Sequence, residues 1–297
     1  MKLKLEIPGS INDEKETVYT EFYDACKNND TTAVKLMLEG NIDLDNIEPN
    51  WNTALHIACE NKNYEIVKTL LRKGANPNIK DCRGNTALHI ACEKKLYKII
   101  KQLLKSGANP NIENVVGETP LSIACKKNYL SVMSILLRKD ADVNYVNNYG
   151  DTIIHLASQK GNKDVLQKLI DNKANLKALD RYERTPLHIA CARENVDAIE
   201  ILLKNNVDSL KKSWDRKTCW SCASEAKNEL VLKTLFRYNN ASAVGTYTAL
   251  TQRTFFKESP MRLAEMNRNK EVWKTMHQRS TDVLIRCIVN SNINIGR

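Results

Sequence analysis

Apolar residues along this chain fall into short helical patterns that recur with a 33-residue period. In segment 87–105, ALHIACEKKLYKIIKQLLK, the apolar positions follow the three- and four-residue spacing of amphipathic helices on both sides of a polar break. The pattern predicts two short helices joined by a turn. The same pair is predicted at each repeat step in both directions.

A repeated nonapeptide marks the start of the first helix of each pair: NTALHIACE occurs at 52–60 and again at 85–93. Its threonine suits a helix N-cap, and the proline that follows this threonine in two repeats suits the first helical turn. A small alanine five residues after the threonine allows neighbouring helices to approach closely. The threonines are Thr53, Thr86, Thr119, Thr152, Thr185 and Thr218.

The position after the second helix differs between the early and the late repeats. Gly74 and Gly107 suit the left-handed residue that ends a helix. Later repeats carry Asp140, Lys173 and Asn206 there, and only asparagine adopts that conformation at low cost. We therefore expect the repeats after residue 138 to be individually less stable. A single repeat cannot bury its own apolar face, so stacking must supply the core.

These features resemble the ankyrin repeat, whose unit G-x-T-P-L-H-x-A…LL…G-A-x-x-N is nearly complete from Gly84 to Asn109. The resemblance covers residues 17–238 and implies an all-α solenoid of stacked helix-turn-helix units with β-turn fingers, about seven or eight in one continuous array. We expect an acidic lead-in at 1–16, repeats over 17–258 with an N-terminal capping unit at 17–49, 33-residue units from 50 and an inserted loop at 239–258, and a degenerate repeat with a capping helix at 259–297.

Composition limits the compartment and the class of chemistry. The 297-residue chain is 42% hydrophobic, enough for a packed protein, and carries a net charge of +10. It has no stretch of 18 apolar residues, and residues 1–10 lack the apolar core of a signal peptide. We expect a cytoplasmic or nuclear protein, or one in the host cytosol if it comes from a pathogen. It should be monomeric when unbound and have no membrane partner.

Cysteine and histidine occupy repeat columns, which argues against a catalytic or metal site. Cys219 and Cys222 form a C-x-x-C pair, which alone can be half of a zinc site or a redox pair, but no second pair follows and we interpret both as core residues. Catalysis needs a nucleophile, a base and an orienting group outside the repeat pattern. No such trio exists, so we expect no enzyme, metal or cofactor. The columns are Cys26, Cys59, Cys92, Cys125 and Cys191, expected to be buried, and His56, His89, His155 and His188, which the resemblance implies bond the finger and the threonine.

Two sets of variable positions are candidates for partner binding. Eight residues after the threonine, four consecutive repeats carry a basic residue, and at the helix-packing distance such a ladder would span about 30 Å and favour an acidic partner. A solvated helical face is the alternative reading of this ladder. At the predicted finger tips an exposed apolar and aromatic strip is typical of interface anchors, unless the fingers pack on each other. The ladder is Lys94, Lys127, Lys160 and Arg193, and the finger residues are Asn50, Arg83, Val116, Tyr149, Tyr182 and Trp214.

The leading functional hypothesis is a non-enzymatic scaffold, inhibitor or adaptor that binds a protein through its concave face and finger tips. In size and repeat number it is similar to the inhibitors of Rel-family transcription factors. A second hypothesis is a pathogen or viral effector acting on a host protein, because the Lys- and Asn-rich sequence resembles those of AT-rich genomes. A third is nucleic-acid binding through the ladder, less favoured because no aromatic stacking platform accompanies it.

Overall fold

The computed structural model of the chain describes residues 11–40, 42–47, 52–226 and 228–238, together with 260, 274, 277 and 278. The expected finger residue Asn50, the insertion at 239–258, and the C-terminal repeat at 259–297 apart from these last four positions lie outside the described residues. The chain divides into two compact units, Met1–Asp142 and Val143–Arg297, here called unit 1 and unit 2.

Unit 1 contains four helix pairs among its described residues. First helices pack on neighbouring first helices, the first three second helices pack on one another in sequence, and the two helices of each pair pack together, which buries the apolar faces that no single pair can cover. The first pair begins at Ile11, inside the segment expected to be a lead-in. The pairs are α1 (Ile11–Lys27) with α2 (Thr31–Met37), α3 (Ala54–Glu60) with α4 (Tyr64–Arg72), α5 (Ala87–Glu93) with α6 (Tyr97–Lys105), and α7 (Pro120–Lys126) with α8 (Leu130–Leu137).

Unit 2 contains three described helix pairs. Its first helices pack on neighbouring first helices and its second helices on neighbouring second helices. Within the described residues of both units there is no β-strand, and a single isolated bridge joins Val146 to Thr152. No helix in the described part of the chain is both long and apolar enough to span a membrane. The pairs are α9 (Ile153–Lys160) with α10 (Lys163–Asp171), α11 (Pro186–Ala192) with α12 (Val196–Lys204), and α13 (Cys219–Glu225) with α14 (Glu229–Tyr238).

Threonine begins each first helix from α3 onward, as predicted. In α3 a capping box joins the cap to the third helical residue. The Thr53 side chain accepts a hydrogen bond from the backbone N–H of His56, and the His56 ring accepts one from the backbone N–H of Thr53. Pro120 and Pro186 occupy the first helical position of α7 and α11, where the missing amide hydrogen costs nothing. The local sequence therefore fixes where each repeat starts.

Each of the four repeats between residues 81 and 206 passes three times through the left-handed region: in the finger, between the two helices and after the second helix. After the second helix, Gly74 and Gly107 have φ of 96° and 86°, and Lys173 takes the same conformation with φ of 65°. In the turn between the two helices, Lys62 and Lys95 both have φ of 59°. A lysine is strained in this region, because its Cβ crowds the following carbonyl, whereas a glycine is not.

Candidate functional site

An Asp or Asn side chain organises four of the described fingers, a feature that was not predicted from the sequence. The Oδ1 atom of Asp81 accepts the backbone N–H groups of Arg83 at 2.8 Å and Asn85 at 2.7 Å, which closes the tight turn. Equivalent residues do the same in the next three fingers. They stand five residues before the capping threonine, and that spacing was the signal available in the sequence: Asp81, Asn114, Asn147 and Asp180.

Neighbouring fingers lie side by side within each unit, as predicted. In unit 1 the N–H of Val115 donates to the carbonyl oxygen of Arg83 at 3.0 Å, and in unit 2 the N–H of Trp214 donates to that of Tyr182 at 2.9 Å. Gly84 permits this approach, because a Cβ there would stand 2.7 Å from the Val115 nitrogen. The fingers are therefore a connected, ordered surface.

The histidine column ties each first helix to the finger of the next repeat. The Nδ1 atom of His89 accepts the N–H of Thr86 at 3.1 Å, so its proton is on Nε2, which lies 3.0 Å from the carbonyl oxygen of Glu118. The resemblance implied this arrangement, and it is confirmed for the four histidines. Burial lowers the pKa of all four, to about 4 for His89, which keeps them neutral at physiological pH.

The predicted finger residues are exposed in both units. Tyr149 is 53% exposed, Tyr182 48% and Trp214 69%, and in unit 1 Val116 is also exposed. Because these side chains do not withdraw into the core, they remain available to a partner, whereas large apolar side chains ordinarily avoid water in such numbers.

An arginine between two tyrosines organises the finger surface of unit 2, and its position was not predicted from the sequence. The Arg181 guanidinium lies 5.6 Å from the Tyr149 ring centroid and 5.1 Å from that of Tyr182, within cation–π range. Arg181 forms no ion pair with a described residue. By contrast, Arg184 binds the buried Asp180 carboxylate with two nitrogens at 2.7 Å, and this hydrogen bonding lowers the pKa of Asp180 despite its burial.

A groove between fingers and first helices brings three predicted residues together in unit 1. Arg83, Val116 and Lys127 line a cavity of about 340 Å³. Glu93 and Glu118 line the cavity as well, and their negative charges oppose the positive charges of Arg83 and Lys127. The concave side of unit 1 is therefore mixed in charge.

The equivalent groove of unit 2 lies two repeats further along the chain and differs in its charges. Arg184 and Arg193 line a cavity of about 170 Å³ together with Asp151 and Gln159. Gln159 and Ala192 stand where unit 1 has Glu93 and the glutamate-paired Lys126. This groove therefore holds one acidic residue where that of unit 1 holds two.

The four ladder residues differ in their ion pairing. The Lys94 Nζ atom lies 2.7 Å from a Glu60 carboxylate oxygen, and Lys127 lies 3.8 Å from one of Glu93. Lys160 and Arg193, both exposed, form no ion pair with a described residue. Two of the four ladder charges are therefore paired with glutamates and less available to phosphates, which weakens the hypothesis of nucleic-acid binding through the ladder.

The cysteine column is buried, as predicted, and chemically quiet. Burial raises the pKa of the Cys26 thiol to about 12 and raises those of Cys59 and Cys92 further, so the nucleophilic thiolate is suppressed. In the C-x-x-C pair, the Cys219 thiol donates to the carbonyl oxygen of Ser209 at 2.9 Å, and burial raises its pKa too. The described residues contain no group of three side chains able to hold a metal ion.

Comparison with known proteins identifies the class. The profile of the ankyrin-repeat family matches residues 22–114, 98–180 and 157–246, which together cover most of the chain. The chain belongs to the ankyrin-repeat family, and its fold is an all-α ankyrin solenoid.

Solved structures of similar fold come from several ankyrin-repeat proteins. The ankyrin-repeat domain of Bcl-3, a unique member of the IkappaB protein family, is 25% identical with a TM-score of 0.67 over 72% of this chain and 97% of that one. The human ASB11 domain is 25% identical with a TM-score of 0.63, covering 77% and 98%. A domain from Acinetobacter baumannii AYE is 25% identical with a TM-score of 0.60, covering 63% and 98%. A search of curated proteins finds no match.

Proposed function

We propose that this ankyrin-repeat protein is a non-enzymatic scaffold, inhibitor or adaptor whose principal protein-binding surface is the finger surface of unit 2, defined as Tyr149, Arg181, Tyr182 and Trp214. The observation that carries the proposal is the row of three exposed aromatic residues on adjacent fingers, with an arginine free of ion pairs to described residues held between two of the rings. Ankyrin repeats are in general protein-interaction modules, and Tyr, Trp and Arg dominate the energetics of such interfaces.

The surface is prepared for binding before a partner arrives. The Arg181 guanidinium lies within cation–π range of two rings, and the Trp214 backbone is hydrogen-bonded to Tyr182, so less side-chain and loop freedom is left to lose on association. Burying these rings would remove a large apolar area from water. The guanidinium of Arg181, already held in place, would then fix the orientation of the partner.

The partner segment is proposed to be acidic. Arg181, Arg193 and Lys160 in unit 2 have no ion pair with a described residue, whereas the ladder lysines of unit 1 are already paired with glutamates. A carboxylate that reaches Arg181 can form a bidentate pair, which a lysine cannot offer. Charge complementarity therefore favours unit 2 over the groove of unit 1.

Quantitative proteomics on proteins captured by the full chain would test this proposal, followed by calorimetry with the recovered partner. Tyr182→Ala or Trp214→Ala should each weaken the complex by about 2 kcal/mol or more if they are anchors. Tyr97→Ala, which removes an exposed tyrosine from unit 1, is the matched control and should leave affinity unchanged. A partner retained equally by all three variants would refute the assignment of the surface.

We also propose a cytoplasmic or nuclear location. The buried cysteines of the repeat column are free thiols that serve as small apolar core residues, a usage typical of reducing compartments. Fluorescence microscopy of the tagged chain in its own cells tests this, and a secreted product would contradict it.

A further inference from the structure

A second aromatic and basic surface lies in unit 1, at the turns that join the two helices of successive repeats. We call it the turn-edge surface. It combines tyrosines from three repeats with lysines from two, all of them partly or fully exposed: Tyr64, Tyr97, Tyr129, Lys62, Lys68, Lys95 and Lys98. It shares no residue with the finger surface and does not rest on the function proposed above.

Each tyrosine ring of this surface has an ammonium group beside it. The Lys95 Nζ atom lies 5.9 Å from the Tyr97 ring centroid and 5.0 Å from that of Tyr129, and the Lys68 Nζ atom lies 5.7 Å from that of Tyr64. These distances are within cation–π range. Two of the four lysines, Lys68 and Lys95, are thus placed beside the rings.

A slot opens between the tyrosines of two successive repeats. It has a volume of about 250 Å³ and is lined by Tyr64 and Tyr97, with Leu96 and Ile99 adding apolar surface and Lys62 and Lys98 adding charge. Flat apolar walls with ammonium groups at the rim suit a planar ring that carries a negatively charged group.

The lysines of unit 1 differ in whether a glutamate neutralises them. On the groove side, Lys94, Lys126 and Lys127 each pair with a glutamate. None of the four turn-edge lysines forms an ion pair with a described residue. Lys94 and Lys95 are neighbours in sequence, yet one is neutralised and the other is free.

Two of these lysines occupy a position where glycine would be less strained. Lys62 and Lys95 both have φ of 59°, and the equivalent residues in unit 2 are Gly161, with φ of 73°, and Glu194, with φ of 58°. The same left-handed turn recurs in repeats of both units, so this strain belongs to the repeat and does not by itself mark a site. Replacement of either lysine by glycine relieves the strain and removes the charge together, so glycine variants can separate effects on binding from effects on stability.

We propose that the turn-edge surface binds single-stranded nucleic acid, with the tyrosines stacking on bases and the lysines contacting phosphates. Successive repeats place the rings at about the helix-packing distance of 10 Å, and single strands bind proteins through such stacking platforms beside basic side chains. An acidic peptide would use the lysines but has no bases to stack on the rings. Stacking therefore favours a nucleic acid as the occupant.

Fluorescence anisotropy of the full chain with a labelled 20-nucleotide oligouridylate, at several salt concentrations, tests the proposal. Tyr97→Ala should raise Kd on the order of tenfold. Lys95→Gln should lower the slope of log K against log salt by about 0.7. Lys94→Gln is the matched control, one residue away and on the groove side, and should change neither quantity.

Glycine variants separate binding from stability. Lys95→Gly should raise the melting temperature while weakening oligonucleotide binding. Asn128→Gly, at the equivalent left-handed position without a cation, should raise it less, because asparagine tolerates this conformation better than lysine, and should leave binding unchanged. Equal losses in Lys94→Gln and Lys95→Gln would overturn the proposal, as would full binding by Tyr97→Ala. Equally tight binding of a polyglutamate peptide or of phosphatidylserine vesicles, with the same loss in Tyr97→Ala, would also overturn it.

Discussion

Replacing a column histidine by serine should destabilise the protein by an amount that depends on pH. His89 is the best position, because its Nε2–H bond to the Glu118 carbonyl joins two repeats of unit 1. Serine is the chain's own variant in this column. The Ser122 hydroxyl accepts the N–H of Thr119 at 3.0 Å and donates to its carbonyl at 2.8 Å, so His89→Ser should keep the helix cap and lose the inter-repeat bond.

Near pH 7.5 the expected loss is about 2 to 3 kcal/mol in the free energy of unfolding. A partly buried carbonyl left without a donor costs about 1–3 kcal/mol, and the missing imidazole leaves a gap that the surroundings fill only in part. His89 is 1% exposed, so water cannot readily replace the lost contacts.

In acid the difference between the two proteins should shrink. Burial lowers the pKa of folded His89 from 6.5 to about 4, so between these values the unfolded chain holds more protons than the folded one. The stability contributed by this residue is therefore full above about pH 6.5 and is lost as the pH falls toward 4. At pH 5 the wild-type protein should have lost about 2 kcal/mol from His89 alone, and the serine variant nothing at this position.

Urea denaturation followed by far-UV circular dichroism at pH 7.5, 6.5, 5.5 and 5.0 measures both effects. The gap between wild type and His89→Ser should fall from about 2–3 kcal/mol to below about 1 kcal/mol. His188→Ser in unit 2 should show the same trend, because burial lowers that pKa too. A gap that stays constant with pH would refute the assignment of a neutral, Nε2-protonated imidazole.

Two glycine pairs test backbone strain. Gly84→Ala should destabilise the protein by more than about 2 kcal/mol, and Gly107→Ala by about 1 kcal/mol. Both glycines have positive φ, but only at Gly84 would the new Cβ meet backbone, at 2.7 Å. Equal losses of stability in thermal denaturation would argue against the close approach of fingers. Lys173→Gly should stabilise by about 1 kcal/mol and Asn206→Gly by less, because asparagine tolerates φ near 60° better than lysine, and no gain at Lys173 would contradict the strain.

Features that depend on one repeat, or on contacts repeated at a fixed spacing, could be predicted from the sequence. Thr53 and its equivalents begin the helices, and Gly74 ends one in the left-handed conformation, since both roles follow from local backbone chemistry. The burial of the cysteine column followed from its fixed place beside the alanines. The expected weakness of later repeats rests on Asp140 and Lys173, which do take positive φ, while the stability itself stays a prediction.

The turn-edge surface escaped the sequence analysis because its members do not share one column. Tyr64 and Tyr97 are one repeat length apart, but Tyr129 follows Tyr97 one position too early to continue that column. One position is enough to move a side chain off a column, yet the long Lys95 side chain still reaches both rings. Arg181 was missed for a related reason, since the finger columns were counted at Tyr149 and Tyr182 and the residue between their rings was not considered.

Charge pairing shows most clearly what a column alone cannot tell. Lys94 and Lys127 each meet a glutamate on the preceding first helix, and in both pairs the separation along the chain is one position longer than the repeat. Arg193 has Gln159 at that spacing, and both line the groove of unit 2. Counting basic residues at one position therefore overstates the free charge of unit 1 and understates the contrast with unit 2. An internal carboxylate competes with the carboxylate of an incoming partner. Gln159→Glu should therefore weaken the binding of an acidic partner at unit 2. Glu93→Gln should strengthen its binding at unit 1. Calorimetry with the recovered partner measures both, and no change in either variant would show that these charges lie outside the interface.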